Sequence, residues 1–176
     1  MHKKMINDGV SPDIITYHVM LGGLCKNMCV DVATSLFHST SFQRFRPDIK
    51  SFNILIDGVF RAGKIKEDSE LFNAIFTEGL VPDVVTYTLM SKGLIKEGLL
   101  DEFDELFPTM EKYGCSSDSN MLNVIVRSLL EKGETKKVLE FLHKMDEQKF
   151  FYLSPLLLLF CWMFYLRTGT LYEVDP

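Results

Sequence analysis

The sequence predicts an all-α protein, a right-handed α-solenoid of stacked helix–turn–helix repeats that are each 35 residues long. The first observation is a set of turn dipeptides at a constant 35-residue interval: Pro12-Asp13, Pro47-Asp48, Pro82-Asp83 and Ser117-Asp118. The second is that the residues after three of these turns are alike, reading Ile-Ile-Thr-Tyr, Ile-Lys-Ser-Phe and Val-Val-Thr-Tyr. A fixed period of this size indicates a repeat array, in which each unit buries its apolar face against its neighbours. Function is therefore expected along an extended surface rather than in one pocket.

The first half of the repeat at residues 49–83 has the pattern of an α-helix. Asp48 and Ser51 can both accept hydrogen bonds from the free amides at a helix start. The helix is expected to cover about residues 51–61, and Gly63 ends it because glycine readily adopts a left-handed conformation. Its apolar side chains recur at helical spacing: Phe52, Leu55, Ile56, Val59 and Phe60.

A second helix is predicted over about residues 65–77, and Gly79 ends it before the next Pro-Asp turn. Its inward side chains are expected to be Leu71, Phe72, Ile75 and Phe76. In the other repeats the turn between the two helices is assigned to Met28, Gly98 and Gly133. The backbones of the first helices are expected to approach a neighbouring helix closely at Gly23, Gly58 and Gly93, because glycine has no side chain.

The repeat phase divides the chain into six segments. The predicted division is the end of a truncated repeat at 1–13, repeats at 14–48, 49–83 and 84–118, a degenerate repeat at 119–153 and a non-repeat apolar tail at 154–176. Because the first residues already read as the end of a repeat, a targeting leader, if the full protein has one, would lie upstream of this sequence.

Composition limits the class of protein. Apolar residues make up 47% of the chain, enough for a core, and the net charge is -5 with a pI of about 5.4. An acidic chain is not held on nucleic acid by bulk charge alone, although a local basic stripe remains open. The four cysteines show no paired framework and are expected to be reduced.

Several strings resemble the pentatricopeptide repeat (PPR) family over about residues 1–150. They are PDIITYH with GGLCK, PDIKSFNILIDGVFRAGKI, and PDVVTYT with KGLIKEG and LFPTMEKYG. The period, the Pro-Asp linker, the Thr-Tyr or Ser-Phe opening and the glycine at the helix junction recur together. The tetratricopeptide repeat has a period of 34 and a tryptophan-containing opening, and neither is present. GGLCK and LIDGVFRAGK are similar to restorer-of-fertility-like plant members of the P class.

This resemblance implies a surface that binds single-stranded RNA at one base per repeat. In the family, the fifth and last residues of a repeat select the base, the second packs on the base, and a basic residue late in the first helix approaches the backbone. The positions implied for base selection are His18, Asp48, Asn53, Asp83, Thr88, Asp118 and Asn123. Those implied for stacking are Ile15, Lys50, Val85 and Asn120, and those for the RNA backbone are Lys26, Arg61 and Lys96.

The family pattern also implies a base for each repeat. Asn53 with Asp83 favours uracil, and Thr88 with Asp118 favours guanine. Amide and hydroxyl groups can donate to or accept from a Watson–Crick edge, which makes this chemically reasonable. His18 and Asp48 are not a standard pair, and Leu153 stands where the fourth repeat should have its acid. The expected sequence is 5′-N-U-G-3′, followed by a weak pyrimidine.

Plainer interpretations apply to the same residues. An aspartate after proline is a common turn signal, and Asn53 or Thr88 could be an ordinary cap or turn residue. Cys25 and Cys29 lie one helical turn apart, but Cys29 is expected beyond the helix, so no metal and no cofactor are predicted. The acidic run 101–105 is interpreted as a solvated helix face with Phe103 turned inward. The His-x-Glu and Pro-Cys-x-x-Cys motifs of deaminase-like PPR proteins are absent, so no enzymatic activity is expected.

The segment 150–166 is almost wholly apolar. A membrane-spanning helix needs about 20 residues, and Pro155 leaves a shorter apolar run, so a membrane span is not expected. Three interpretations stay open: a degenerate cap, a partner-binding surface, or translated sequence foreign to the ancestral reading frame. The third is favoured.

The predicted function is therefore sequence-selective binding of single-stranded RNA, without catalysis and without a DNA partner, by a fragment of an organellar PPR protein. Its role would be transcript processing, stabilisation or translation, in the mitochondrion rather than the chloroplast. A different class remains open, a helical scaffold that binds protein partners through the same groove. A third possibility is a truncated gene product with no independent function.

Overall fold

The computed structural model describes residues 13–41 and 46–147, and these residues form α-helices joined by short turns, with no strand among them. The helices are α1 (Ile14–Lys26), α2 (Val30–Ser41), α3 (Ile49–Arg61), α4 (Ile65–Thr77), α5 (Val84–Glu97), α6 (Leu100–Lys112), α7 (Ser119–Lys132) and α8 (Thr135–Glu147). The first helix of each pair begins 35 residues after the previous one, at 14, 49, 84 and 119. The prediction of an all-α chain of helix pairs is confirmed.

An aspartate caps each first helix. The side chains of Asp13, Asp48, Asp83 and Asp118 accept a hydrogen bond from the backbone N–H three residues later, at 2.7 to 2.9 Å. These bonds satisfy one of the free amides at each helix start. The helix expected to begin near residue 51 begins at Ile49 instead, because Asp48 alone is the cap. Ser51 was expected to accept an amide as well, but its hydroxyl donates to the Asp48 carboxylate at 2.7 Å.

The turns within the helix pairs use left-handed residues where the sequence predicts them. Gly63, Gly98 and Gly133 have φ of 72°, 80° and 79°. Met28 takes the same role at φ 59°, an uncommon conformation for a residue with a side chain. Gly79 ends α4 with φ 73°. The backbone chemistry of the turns is therefore the same in every repeat, although one of them lacks the glycine.

The chain divides into two compact units, residues 1–116 and residues 117–176. In the first unit, α1 packs on α3 and α3 packs on α5, so the first helices of successive pairs stack directly. Each also packs on the second helix of its own pair. The largest fully buried side chains here are Leu21, Phe52, Leu55, Ile56, Val59, Ile75, Tyr87, Ile95 and Phe103.

Two glycines allow the stacked first helices to approach closely. A Cβ added at Gly58 would overlap the Cys25 side chain, and one added at Gly93 would overlap the Phe60 ring. The prediction for Gly58 and Gly93 is therefore confirmed. At Gly23 an added Cβ meets no atom within 4 Å among the described residues. Residues 1–12, which precede α1, lie outside the described residues, so this part stays a prediction.

The second unit contains the pair α7 and α8, which pack on each other. Its buried side chains are Met121, Leu122, Ile125, Val126, Leu129, Leu130, Val138 and Phe141. The predicted tail 154–176, the end of the fourth repeat and the segment 1–12 lie outside the described residues. Within the described part of the chain, no helix is both long enough and apolar enough to span a bilayer.

Candidate functional site

The fifth residue of the first repeat is held by the start of the second. His18 lies on α1 and is 8% exposed. Its Nε2 atom lies 2.9 Å from the Asp48 Oδ1 atom and 3.1 Å from the Ser51 Oγ atom. Asp48 is the cap of α3, so the same carboxylate closes one helix and binds the side chain of another.

Asn53 repeats this arrangement one repeat later. It is also 8% exposed, and its amide Nδ2 donates to the Asp83 Oδ1 atom at 3.1 Å. Thr86 is fully buried, and its hydroxyl donates a hydrogen bond to the Asn53 Oδ1 atom at 2.7 Å. Because the Asp83 carboxylate accepts and the hydroxyl can donate, the orientation of the Asn53 amide is fixed.

The charge on Asp48 supports this geometry. Burial raises the pKa of Asp48, but hydrogen bonds from the Ser51 hydroxyl and amide and from His18 together lower it more. The net pKa lies below the usual aspartate value, so the group is a carboxylate at neutral pH and only accepts hydrogen bonds. The contact between this acid and the fifth residue His18 is a direct one, with no intervening group.

Sequence reasoning missed the third residue of each repeat as part of the site. Ser51 is predicted at a helix start and Thr86 is the threonine of a Thr-Tyr opening, and both also contact the fifth side chain of the preceding repeat. The signal was present in the sequence, since a hydroxyl residue stands three positions after each of Asp13, Asp48 and Asp83. What the sequence did not reveal is that stacking brings this hydroxyl next to a residue 33 positions earlier.

The third and fourth repeats offer less detail. The half-buried Thr88 donates its hydroxyl to the Val84 carbonyl of its own helix at 2.6 Å. Asp118 belongs to the second unit, where it caps α7, so its pairing with Thr88 stays a prediction. Asn123 is half-buried on α7, and Leu153 lies outside the described residues.

The residues predicted to stack on bases are all exposed. Ile15 is 66% exposed and Val85 is 49% exposed, and Lys50 and Asn120 are exposed as well. Each lies three positions before a fifth residue, which places the two on the same helix face. The sequence did not single out Val19, which is 69% exposed and directly follows His18. The first repeat therefore presents two exposed apolar side chains beside the polar His18.

The predicted basic residues Lys26, Arg61 and Lys96 lie in the last turns of α1, α3 and α5, and all three are exposed. Arg61, the middle residue of the three, forms an ion pair within its own helix. Arg61 Nη2 lies 2.7 Å from Asp57 Oδ2, one helical turn away. The stripe therefore has two lysines flanking a partly compensated arginine.

Two other sequence predictions concern residues away from this face. Phe103 is fully buried while Asp101, Glu102 and Glu105 are exposed, which confirms the solvated acidic face. Cys25 is buried inside α1, and burial raises the pKa of its thiol. Cys29 is exposed beyond the end of that helix.

Comparison with protein families now identifies the class. The model of the PPR repeat family matches residues 47–96, and PPR repeat models match residues 8–39, 85–115 and 121–150. Together these matches cover most of the chain. The chain belongs to the PPR repeat family.

Solved structures confirm the α-solenoid fold class. The pentatricopeptide repeat protein PPR10 in complex with an 18-nt psaJ RNA element matches with a TM-score of 0.71 and 23% identity, over 80% of this chain and 21% of that one. PPR10 from maize matches with a TM-score of 0.68 and 22% identity, over 83% and 21%. Nuclear proteinaceous RNase P 2 from A. thaliana matches with a TM-score of 0.63 and 14% identity, over 82% and 33%.

The chain thus spans about a fifth of the length of the PPR10 chains it matches. No curated protein sequence gives a significant match.

Proposed function

We propose that this chain binds single-stranded RNA selectively, at one base per repeat, along the face formed by the fifth, second and basic residues of α1, α3 and α5. The observation that carries the proposal is the repeated polar network. Two fifth residues 35 positions apart, His18 and Asn53, are each held by an aspartate and a hydroxyl of the next repeat. A structural cap requires only the aspartate, so this repetition supports a role for the fifth side chain itself.

The Asn53 amide has the groups that a uracil edge requires. One of its N–H groups donates to Asp83, and its oxygen accepts from Thr86. A second N–H and a second lone pair remain, since an amide offers two donors and two lone pairs. Uracil carries both acceptors and an N–H on its Watson–Crick edge. Because the network fixes the amide beforehand, little side-chain entropy is lost on binding.

The family match and the PPR10–RNA complex support RNA as the ligand. Binding by this chain alone is expected to be weak. Base stacking contributes about 1–3 kcal/mol per base, and association costs about 4–15 kcal/mol. Three or four bases nearly offset that cost, so we expect an affinity no tighter than micromolar.

The biological setting is part of the same proposal. We place the RNA target among organellar transcripts, in the mitochondrion, where occupation of the RNA would block nucleases or remodel its structure without catalysis. This placement comes from the resemblance to plant members of the family. Detection of the native polypeptide in isolated mitochondria tests it, and its absence there would also favour a truncated product without an independent role.

Charge reversal tests the RNA-binding face. Replacing Lys26, Arg61 and Lys96 by glutamate should abolish crosslinking to single-stranded RNA, because phosphates would then meet three carboxylates. A matched control makes the same change in net charge on second helices, at Lys112, Lys136 and Lys137, and should retain crosslinking. Circular dichroism checks that both variants remain helical. Crosslinking that persists in the first variant would contradict the proposal.

A protein-binding scaffold is the second candidate. The observation that favours it is the exposure of Ile15 and Val19 side by side, at 66% and 69%. An apolar pair of this kind suits a partner helix as well as a base. Under this alternative, RNA crosslinking would be absent from the unmodified chain and from both charge variants alike.

A further inference from the structure

The first repeat carries a selector pair, His18 with Asp48, to which the family pattern assigns no base. The contacts of the His18 imidazole indicate which of its ring nitrogens can bind a base. Nε2 lies 2.9 Å from the Asp48 carboxylate oxygen. A carboxylate only accepts hydrogen bonds, so Nε2 must carry the proton of this contact. The neutral side chain is therefore the Nε2–H tautomer.

The other ring nitrogen is then a bare acceptor. Within the described part of the chain, Nδ1 makes no hydrogen bond, and it is not among the buried polar atoms that lack a partner. Nδ1 is therefore not fully sealed from solvent, although His18 as a whole is only 8% exposed. Asn53 differs here, because its remaining groups include both a donor and an acceptor. His18 offers one lone pair and no donor.

We propose that the first repeat selects bases with a ring N–H on the Watson–Crick edge, uracil and guanine, over cytosine and adenine. This inference rests on the proposed RNA-binding function of the same face and extends it to a position where the family pattern predicts no preference. Uracil N3 and guanine N1 each carry a proton that Nδ1 can accept. Cytosine N3 and adenine N1 present a lone pair to it instead.

The preference should be moderate. Cytosine and adenine also carry an exocyclic amino group beside the ring nitrogen, and this group can donate to Nδ1 from a shifted position. The difference between the two classes of base is therefore close to one ordinary hydrogen bond, or about threefold to tenfold in affinity.

The test uses the full 176-residue chain and four short single-stranded RNAs. They share a U-G step in a cytosine background and differ only in the base before the uracil. Fluorescence anisotropy is measured at low salt and at about pH 8. The RNAs with uracil or guanine at the varied base should bind about threefold to tenfold more tightly than those with cytosine or adenine.

Substitutions connect the preference to His18. His18→Leu should bind all four RNAs within about twofold of one another, because the acceptor is lost while the second and third repeats are unchanged. His38→Asn, at an exposed histidine on α2, is the matched control and should leave the preference intact. A preference that survives in His18→Leu would overturn the inference.

The tautomer can be measured without RNA. Long-range ¹H–¹⁵N NMR distinguishes a protonated from a bare ring nitrogen, and the His18→Leu spectrum identifies the signals that belong to His18. We expect a protonated Nε2 and a bare Nδ1. A protonated Nδ1 with a bare Nε2 would overturn the inference and leave the proposed function standing.

The outcomes separate the two proposals. If the chain binds all four RNAs equally and charge reversal abolishes binding, the first repeat is unselective and the inference is wrong, while RNA binding stands. If the chain binds none of the RNAs at any concentration tested, the proposed function is wrong and the inference falls with it.

Discussion

Asp48 and Asp83 each have two roles, and the two roles are coupled. Each carboxylate accepts the amide of the third residue in its helix and also binds the fifth side chain of the preceding repeat. Capping fixes the position of the carboxylate, and the fixed carboxylate then orients His18 or Asn53. The residue that starts one helix therefore orients the fifth side chain of another.

Asp48 should stabilise the fold above about pH 4 and lose this contribution in more acidic solution. Its pKa in the folded chain lies below the usual value of about 3.9 for aspartate. The Asp48 carboxylate therefore takes up a proton more readily in the unfolded chain than in the folded one. Its stabilisation is fully present above the unfolded pKa and is lost as the pH falls through the folded pKa. Urea unfolding of the wild type and of Asp48→Asn should differ at pH 6, and the difference in unfolding free energy should shrink as the pH falls below about 4. A difference that stays constant down to the most acidic pH at which the chain still folds would show that the charge is not the source.

At the scale of the elements, the stacking of first helices depends on glycines at defined positions. Gly93→Ala should destabilise the chain by about 1–3 kcal/mol, the usual result of overpacking, because the added methyl overlaps the Phe60 ring. Gly23→Ala is the matched control on α1. It should stabilise by up to about 1 kcal/mol, since the methyl meets no described atom and alanine favours a helix. Chemical denaturation measures the unfolding free energy of both variants. Equal changes in the two variants would contradict the close contact between Gly93 and the Phe60 ring.

The sequence was sufficient to predict the helices but not how their side chains meet. The period and the caps predicted every described helix pair, and Met28 was recognised as a turn residue despite its side chain. These features are local, so a single repeat contains all the information they need. The contacts of Ser51 with His18 and of Thr86 with Asn53 join residues 33 positions apart and depend on the stacking of helices. The compensation of Arg61 by Asp57 depends on which rotamers the two side chains adopt.

At the scale of the whole molecule, an acidic chain presents a local basic stripe. The net charge is -5, yet Lys26 and Lys96 are exposed at the ends of stacked helices and flank Arg61. Long-range attraction is therefore small, and phosphates must come close before the stripe contributes. This agrees with the expectation of weak binding by a chain whose match covers only 21% of PPR10. Base selection, rather than affinity, is the property to measure.

The central claim is that the fifth residue of a repeat decides which base it binds. Thr88→Asn tests it most directly, because it gives the third repeat the same fifth residue as the second. The Thr88 hydroxyl bonds only within its own helix in the described structure, so the change should cost little stability. Anisotropy titrations compare RNAs that contain U-G or U-U at the second and third repeats.

We predict that the wild type prefers the U-G RNA and Thr88→Asn the U-U RNA, each by about threefold to tenfold, the value of one hydrogen bond. The same preference in both proteins would contradict the account, because Thr88 would then be a structural residue and this face would not read the base.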